Sequence, residues 1–205
     1  MSNAAPQQKY QVRFDIGLAG YQALAAGADV IILADALPFA ATEPVLPTPL
    51  DDHQVIAADL ANCEGVAEWV LARQTEKGDR FSVAVIAVGE RRQAGVGRFA
   101  VEDFLVAGAV IDALSARGID HCSPEAAAAA AGFAGLERAV RHLVTASETA
   151  QALVAAGRAA EVQAAVRATR QAAVRAYGPP VQALAADTPD LSPGISRLRE
   201  FPFPA

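Results

Sequence analysis

Two uninterrupted apolar runs constrain this chain more than anything else in it: "DVIILAD" at residues 29–35 and "RFSVAVIAVG" at residues 80–89. A strand with one face in water alternates apolar and polar residues. A continuous run of Val, Ile, Leu and Ala instead means a strand buried on both faces, the signature of a parallel sheet covered by helices. The flanking segments agree. "YQVRFD" alternates like a half-buried strand, "GLAGYQALAAG" reads as a short helix, "QVIAADL" is a further strand, and "CEGVAEWVLARQ" is a helix directing Val66, Trp69 and Val70 inward. The predicted class is α/β, with a mainly parallel or mixed sheet and helices on both faces.

From Val101 onward the pattern is helical. "VEDFLVAGAVIDALSARG" places apolar residues at three- and four-residue steps and stops at Gly118. A second helix opens at "SPEAAAAAAGF", where Ser123 can cap, Pro124 suits the first helical position and Glu125 complements the dipole. "SETAQALVAAG" and "AAEVQAAVRATRQAAVRAYG" supply two more, which makes the C-terminal half rich in helix. In this alanine-rich region Leu136, Val140, Leu143, Leu153 and Val162 are the larger apolar residues available for packing. The expected organisation is a disordered start at 1–9, one α/β domain over 10–177, and an extended proline-rich tail over 178–205. Four prolines between Ala36 and His53 exclude a long helix or central strand there and leave a loop that crosses the surface or covers a cleft.

Charge and composition narrow the function classes. A net charge of −6 lacks the basic excess that phosphate-backbone binding needs, so no nucleic-acid partner is expected; Arg167, Arg170 and Arg175 read as a solvated helix face. No apolar stretch is long enough for a membrane span and no signal-like start appears, so the expectation is a cytoplasmic protein without a membrane partner. The two cysteines, Cys63 and Cys122, are far apart and the three histidines scattered, so reduced, mostly buried thiols are expected rather than a zinc site. Exposed small and aromatic groups on the alanine-rich helices and in "FPFPA" predict a homodimer.

Chemistry concentrates in acids that follow strands. Ligands of parallel sheets gather outside the carboxyl ends of the strands. Asp35 ends one strand, Asp59 follows another and Glu90 a third, while Glu102 and Asp103 open the next helix. Carboxylates so grouped repel unless a cation neutralises them, and hard oxygen ligands suit Mg²⁺. The helix dipole alone would also favour acids at 102 and 103. Gly89, Gly95 and Gly97 do not complete a phosphate-binding signature, and a plain turn is the simpler reading of the last two.

The run "VAVIAVGERRQAGVGRFAVEDFLVAGAVIDALSARGIDHCSPEAAAAAAGF" resembles the C-terminal half of the 2-phosphosulfolactate phosphatase family, with its Gly-Glu-Arg-like loop, its "R-F-A-x-E-D" step and its "A-G-A" helix in that order. The likeness extends through "ASETAQALVAAG", covering roughly Phe81 to Gly157. "VRFDIGLAGYQAL" and "DVIILADAL" are similar to the family's opening. The resemblance implies Mg²⁺-dependent hydrolysis of a phosphate monoester on a small sulfonated or carboxylated acid. It assigns Asp35, Asn62 and Glu90 to catalysis, Thr42 and Arg91 to the anionic phosphorylated substrate, and Asp35, Glu102 and Asp103 to the metal. The chain also departs from the family pattern. "DALPFAAT" puts Pro38 where Arg or Ser stands and Ala41 where a hydroxyl stands, the family's Asn-Gly-Ser/Thr loop is missing between Thr42 and Asn62, and the final strand pattern is absent after Arg158. The alternative is therefore a catalytically degenerate homologue that binds a ligand or an oligomeric partner.

Overall fold

The computed structural model describes residues 6–37, 54–91 and 97–176, with backbone alone for Arg91 and residues 168–176. In chain order it contains β1 (Val12–Ile16), α1 (Gly17–Leu24), β2 (Val30–Ala34), β3 (Gln54–Ala58), α2 (Cys63–Lys77), β4 (Val83–Ala87), the two-residue strands β5 (Glu90–Arg91) and β6 (Gly97–Arg98), α3 (Val101–Ser115), α4 (Pro124–Leu136), α5 (Val140–Ala146), α6 (Glu148–Ala155) and α7 (Ala159–Ala176). The protein is α/β with a helix-rich C-terminal half. Single 3₁₀ turns follow α1 and α4.

The sheet runs in the order β1-β4-β2-β3 and every pairing is parallel. The two continuous apolar runs are its central strands, where both faces must be covered. All five residues of β2 and all five of β4 are buried. On one face Val12, Phe14, Val30, Ile32, Val83, Val85 and Ile56 pack against α2 and α3 in the main core. On the other, Ile31, Leu33, Val55, Ala84 and Ile86 meet Tyr21 and Leu24 of α1. Burying side chains of this size contributes roughly 1.5–3 kcal/mol each.

Local signals behave as their chemistry dictates. The Ser123 hydroxyl accepts from the Ala126 N–H with Pro124 just after it. Gly78 closes α2 in the left-handed conformation. In α2, Val66 and Val70 are fully buried, whereas Trp69 is half-buried and packs edge-on against Phe81. Gly108 permits the closest helix contact: a Cβ there would lie 2.4 Å from the Ala129 carbonyl oxygen of α4. Arg117 fastens the end of α3 to α2 through Glu64 and Glu68, at 2.7 and 3.0 Å.

Residues 6–9 form a turn in which Gln7 clasps Phe14: its Nε2 donates to the Phe14 carbonyl and its Oε1 accepts from the Phe14 N–H. Two expectations change. Leu136 is 40% exposed and packs little, since it lies on the outer side of α4; Val140, Leu153 and Val162 fill the core instead. The segment after α4 contains a separate helix, α5, which the alanine-rich pattern does not separate from its neighbours. Cys63 is buried, Cys122 half-buried, and both are free thiols. Arg167 is exposed, while the side chains of Arg170 and Arg175, the segment 38–53 and the expected tail lie outside the described residues. Among the described residues no helix is long and apolar enough to cross a membrane.

Candidate functional site

Parallel register fixes where the site must be. Ile16, Ala87, Ala34 and Ala58 lie level across the sheet, so the residues that follow them emerge along one edge. Asp35 leaves β2 there, Asp59 leaves β3, and Gly89 and Glu90 leave β4. Helix α3 brings Glu102 and Asp103 to the same edge from the main-core face.

Asp103 is the keystone of this edge. Its Oδ1 accepts from the Ala36 N–H at 3.0 Å and its Oδ2 from the Gly89 N–H at 2.9 Å, so a single carboxylate ties the turn after β2 to the turn after β4. Only 3% of the residue is exposed. Burial pushes its carboxyl well above the ordinary aspartate range, and neighbouring Asp35 and Glu102 add to the shift, while the two N–H donors oppose it. Gly89 is required at its end of this bridge: its φ is +68°, and a Cβ would lie 2.8 Å from the Arg98 carbonyl oxygen.

Asp35 sits beside this bridge. Its Oδ1 accepts from the Leu37 N–H at 3.1 Å, closing a local turn after β2. Burial raises its pKa to about 6, opposed by the Leu37 hydrogen bond and reinforced by Glu90, Glu102 and Asp59. Glu102 is 1% exposed, and neither of its carboxylate oxygens has a hydrogen-bond partner; its Oε1 lies 3.7 Å from Arg98 Nη2. Acids at 102 and 103 are thus interior groups, not exposed residues complementing a dipole.

Asp59 and Asn62 do different work. Asp59 accepts from the N–H groups of Ala61 and Asn62, and the Asn62 amide answers by accepting from the Asp59 N–H at 2.8 Å and donating to the Ala57 carbonyl at 3.3 Å. Both ends of that amide are occupied by backbone, so its visible contacts hold the β3–α2 turn. Thr42 and the Arg91 side chain lie outside the described residues. Sequence reasoning passed over Arg98, whose side chain is 11% exposed and faces Glu102. The available signal was an arginine four residues before a buried acid.

A family model described as 2-phosphosulpholactate phosphatase matches residues 47–178, well over half of the chain. The chain belongs to that family. The matched residues contain Asn62, Glu90, Arg98, Glu102 and Asp103; Asp35 precedes them, and the match runs past Gly157 to the end of α7. Comparison with curated proteins finds no match.

The donor chemistry at this edge is that of a hard cation: carboxylates, with two Glu102 oxygens lacking donors. Among the described residues, no group of three or more His, Cys, Asp and Glu is arranged to hold a metal ion. The described residues therefore form no closed protein cage, and any cation here would have to complete its shell with water and ligand oxygens.

Proposed function

We propose that this member of the 2-phosphosulpholactate phosphatase family hydrolyses a phosphate monoester of a small sulfonated or carboxylated acid at the carboxyl edge of its sheet, with Mg²⁺ as cofactor. The observation that carries the reading is the convergence of buried, mutually repelling acids, Asp35, Glu102 and Asp103, on the ends of β2 and β4 in a chain of this family. Like charges kept together out of water destabilise the fold, and such groupings are a hallmark of sites that work on charged ligands.

In this reading Asp35 and Glu102 would hold the cation, whose chemistry is to neutralise phosphoryl oxygens. Asp103 holds the two turns in register, so that Asp35 and Glu90 face the same substrate. Hydrolysis breaks the bond between phosphorus and the ester oxygen, and that oxygen leaves needing a proton. The attacking water bonds to phosphorus and releases the proton that the leaving oxygen takes up; Asp35, as a ligand, would stay ionised, because a cation opposes the rise to about 6 that burial gives its free carboxyl. Thr42 and Arg91 enter as substrate-binding residues on family resemblance alone. Asn62 contributes through the turn it holds.

The test is direct. Purified protein with Mg²⁺ should release phosphate from small sulfonated and carboxylated phosphate esters, and EDTA should stop it. No release from any such ester, with wild-type folding confirmed, overturns the enzyme reading and leaves the degenerate, ligand-binding homologue.

A further inference from the structure

The hairpin that carries Glu90 has little of its own to hold it. β5 and β6 are two residues each, paired antiparallel with Glu90 opposite Arg98 and Arg91 opposite Gly97. An isolated pair of such short strands is not stable in water, so its orientation must come from contacts with the body of the protein. One contact is the close seat of the Arg98 carbonyl on Gly89. Another, among the described residues, is the Arg98 side chain.

The guanidinium lies between two helices. Its Nη2 donates to Thr149 Oγ1 at 2.7 Å and lies 3.7 Å from Glu102 Oε1, while its Nε lies 3.7 Å from Glu148 Oε2. Its Nη1 donates to the Phe99 carbonyl at 3.0 Å. One side chain thus joins β6 to the first turn of α3 and the first turn of α6. Among the described residues it is also the cation paired with Glu102, which has no hydrogen bond of its own. A buried carboxylate without a partner is strongly unfavourable, so the arginine is held as firmly as the acid it faces. A planar fork with five donors can serve Thr149, Phe99 and both acids together; an ammonium cannot.

We propose that Arg98 is a positioning residue: its guanidinium latches the β5–β6 hairpin to α3 and α6, and thereby fixes the Glu90 carboxylate relative to Asp35. The inference rests on the proposed phosphatase reading for its catalytic consequence, but the latch itself is a property of the fold. Arg98 touches no reacting atom in this account. Its effect reaches the chemistry through Glu90, which stands directly opposite Arg98 in the ladder.

Two variants test it, each read by hydrogen exchange and by kinetics. Thr149→Val keeps the shape of a buried side chain and removes the oxygen that accepts from Arg98, without disturbing the Glu102 pair. Arg98→Lys keeps the charge and loses the fork. Both should raise amide exchange at residues 88–91 and 97–99 by about tenfold or more while β1, β2 and β4 stay protected. With an ester that wild type hydrolyses, kcat should fall by about tenfold or more and KM should move by less than about twofold, the mark of misplaced catalytic groups rather than lost substrate contact. Unchanged hairpin exchange in a folded Thr149→Val protein overturns the latch, and so does a raised KM with kcat intact. Should Arg98→Lys fail to fold, Thr149→Val decides alone. Absence of turnover in wild type removes only the phosphatase reading, because the exchange measurement still decides whether Arg98 holds the hairpin.

Discussion

The two ends of the same sheet handle polar groups in opposite ways. At the amino ends of the strands Asp29, Arg80 and Gln11 each meet hydrogen-bonding partners, although buried Arg13 lies beside Arg80 and leaves its Nε without one. Asp29 Oδ2 accepts from the Ser82 N–H, and its Oδ1 accepts from Lys77 Nζ at 2.7 Å. Arg80 donates to the Lys9 carbonyl and meets His121 Nδ1, Gln11 bonds Gln74 and the Phe81 carbonyl, and an open depression of about 520 Å³ lies among them. At the carboxyl ends, acids are grouped with acids. Asp35 and Asp103 are driven up first by burial, then by neighbouring acids, Glu90, Glu102 and Asp59 for Asp35 and Asp35 and Glu102 for Asp103, and Glu102 has an arginine at ion-pair distance but no hydrogen bond. Polar groups in complementary pairs are what folding alone favours. A cluster of acids that opposes folding at the carboxyl edge is the feature on which the proposed function rests.

The largest effect should come from Asp35→Asn, because it acts on activity and stability with opposite signs. Turnover should fall by about a thousandfold or more, since the neutral amide does not hold a cation as a carboxylate does. Stability should rise. The folded-state pKa of Asp35 is raised to about 6 from 3.8, so in the window between those values the native state binds more protons than the unfolded chain. The favourable contribution of the protonated form is complete below about 4 and is lost as pH rises through 6. Urea unfolding should accordingly find wild type and variant close at pH 4, and the variant ahead by about 1–3 kcal/mol at pH 7.5. A variant less stable than wild type at pH 7.5 would mean that the acids at this edge do not oppose folding.

Asp103→Ala should behave in the reverse way and by a similar amount. It relieves repulsion but leaves the Ala36 and Gly89 N–H groups without their acceptor, at about 1–3 kcal/mol for each buried donor. A net loss of about 2 kcal/mol in chemical denaturation is expected, together with faster amide exchange at both turns. If exchange rose at neither turn, Asp103 would not be tying them.

The amino edge should give the smallest and purely structural effects. Asp29→Ala should cost about 1–2 kcal/mol through the orphaned Ser82 N–H, and Lys77→Met less than about 1 kcal/mol because its ion pair is exposed. Neither should change kcat. A catalytic defect in Asp29→Ala, with the protein folded, would break the division of labour between the two edges.

The period of apolar residues decides which segments are strands and which are helices, because it reflects how many faces each must bury. That is why the runs ending at Asp35 and Gly89 were legible as central strands, and why Ser123 and Pro124 mark the start of α4 so plainly. The position of Asp35 at a strand's carboxyl end follows from the same local reasoning. What no local pattern contains is the order β1-β4-β2-β3, since it depends on which strands meet across long stretches of chain. From that order follows the rest. Only when β2 and β4 lie side by side can one Asp103 carboxylate reach both of their turns, and only when α3 and α6 converge does Arg98 find Glu102 and Thr149 together. Asn62, matched to a catalytic position by resemblance, bonds the backbone of its own turn, a contact that only the folded β3–α2 connection shows. The amino-acid sequence by itself determined the elements and the acids that follow them; the tertiary structure decided which acids are buried, which are bonded and which are left facing one another, because burial and partnership are set by neighbours that lie far away along the chain.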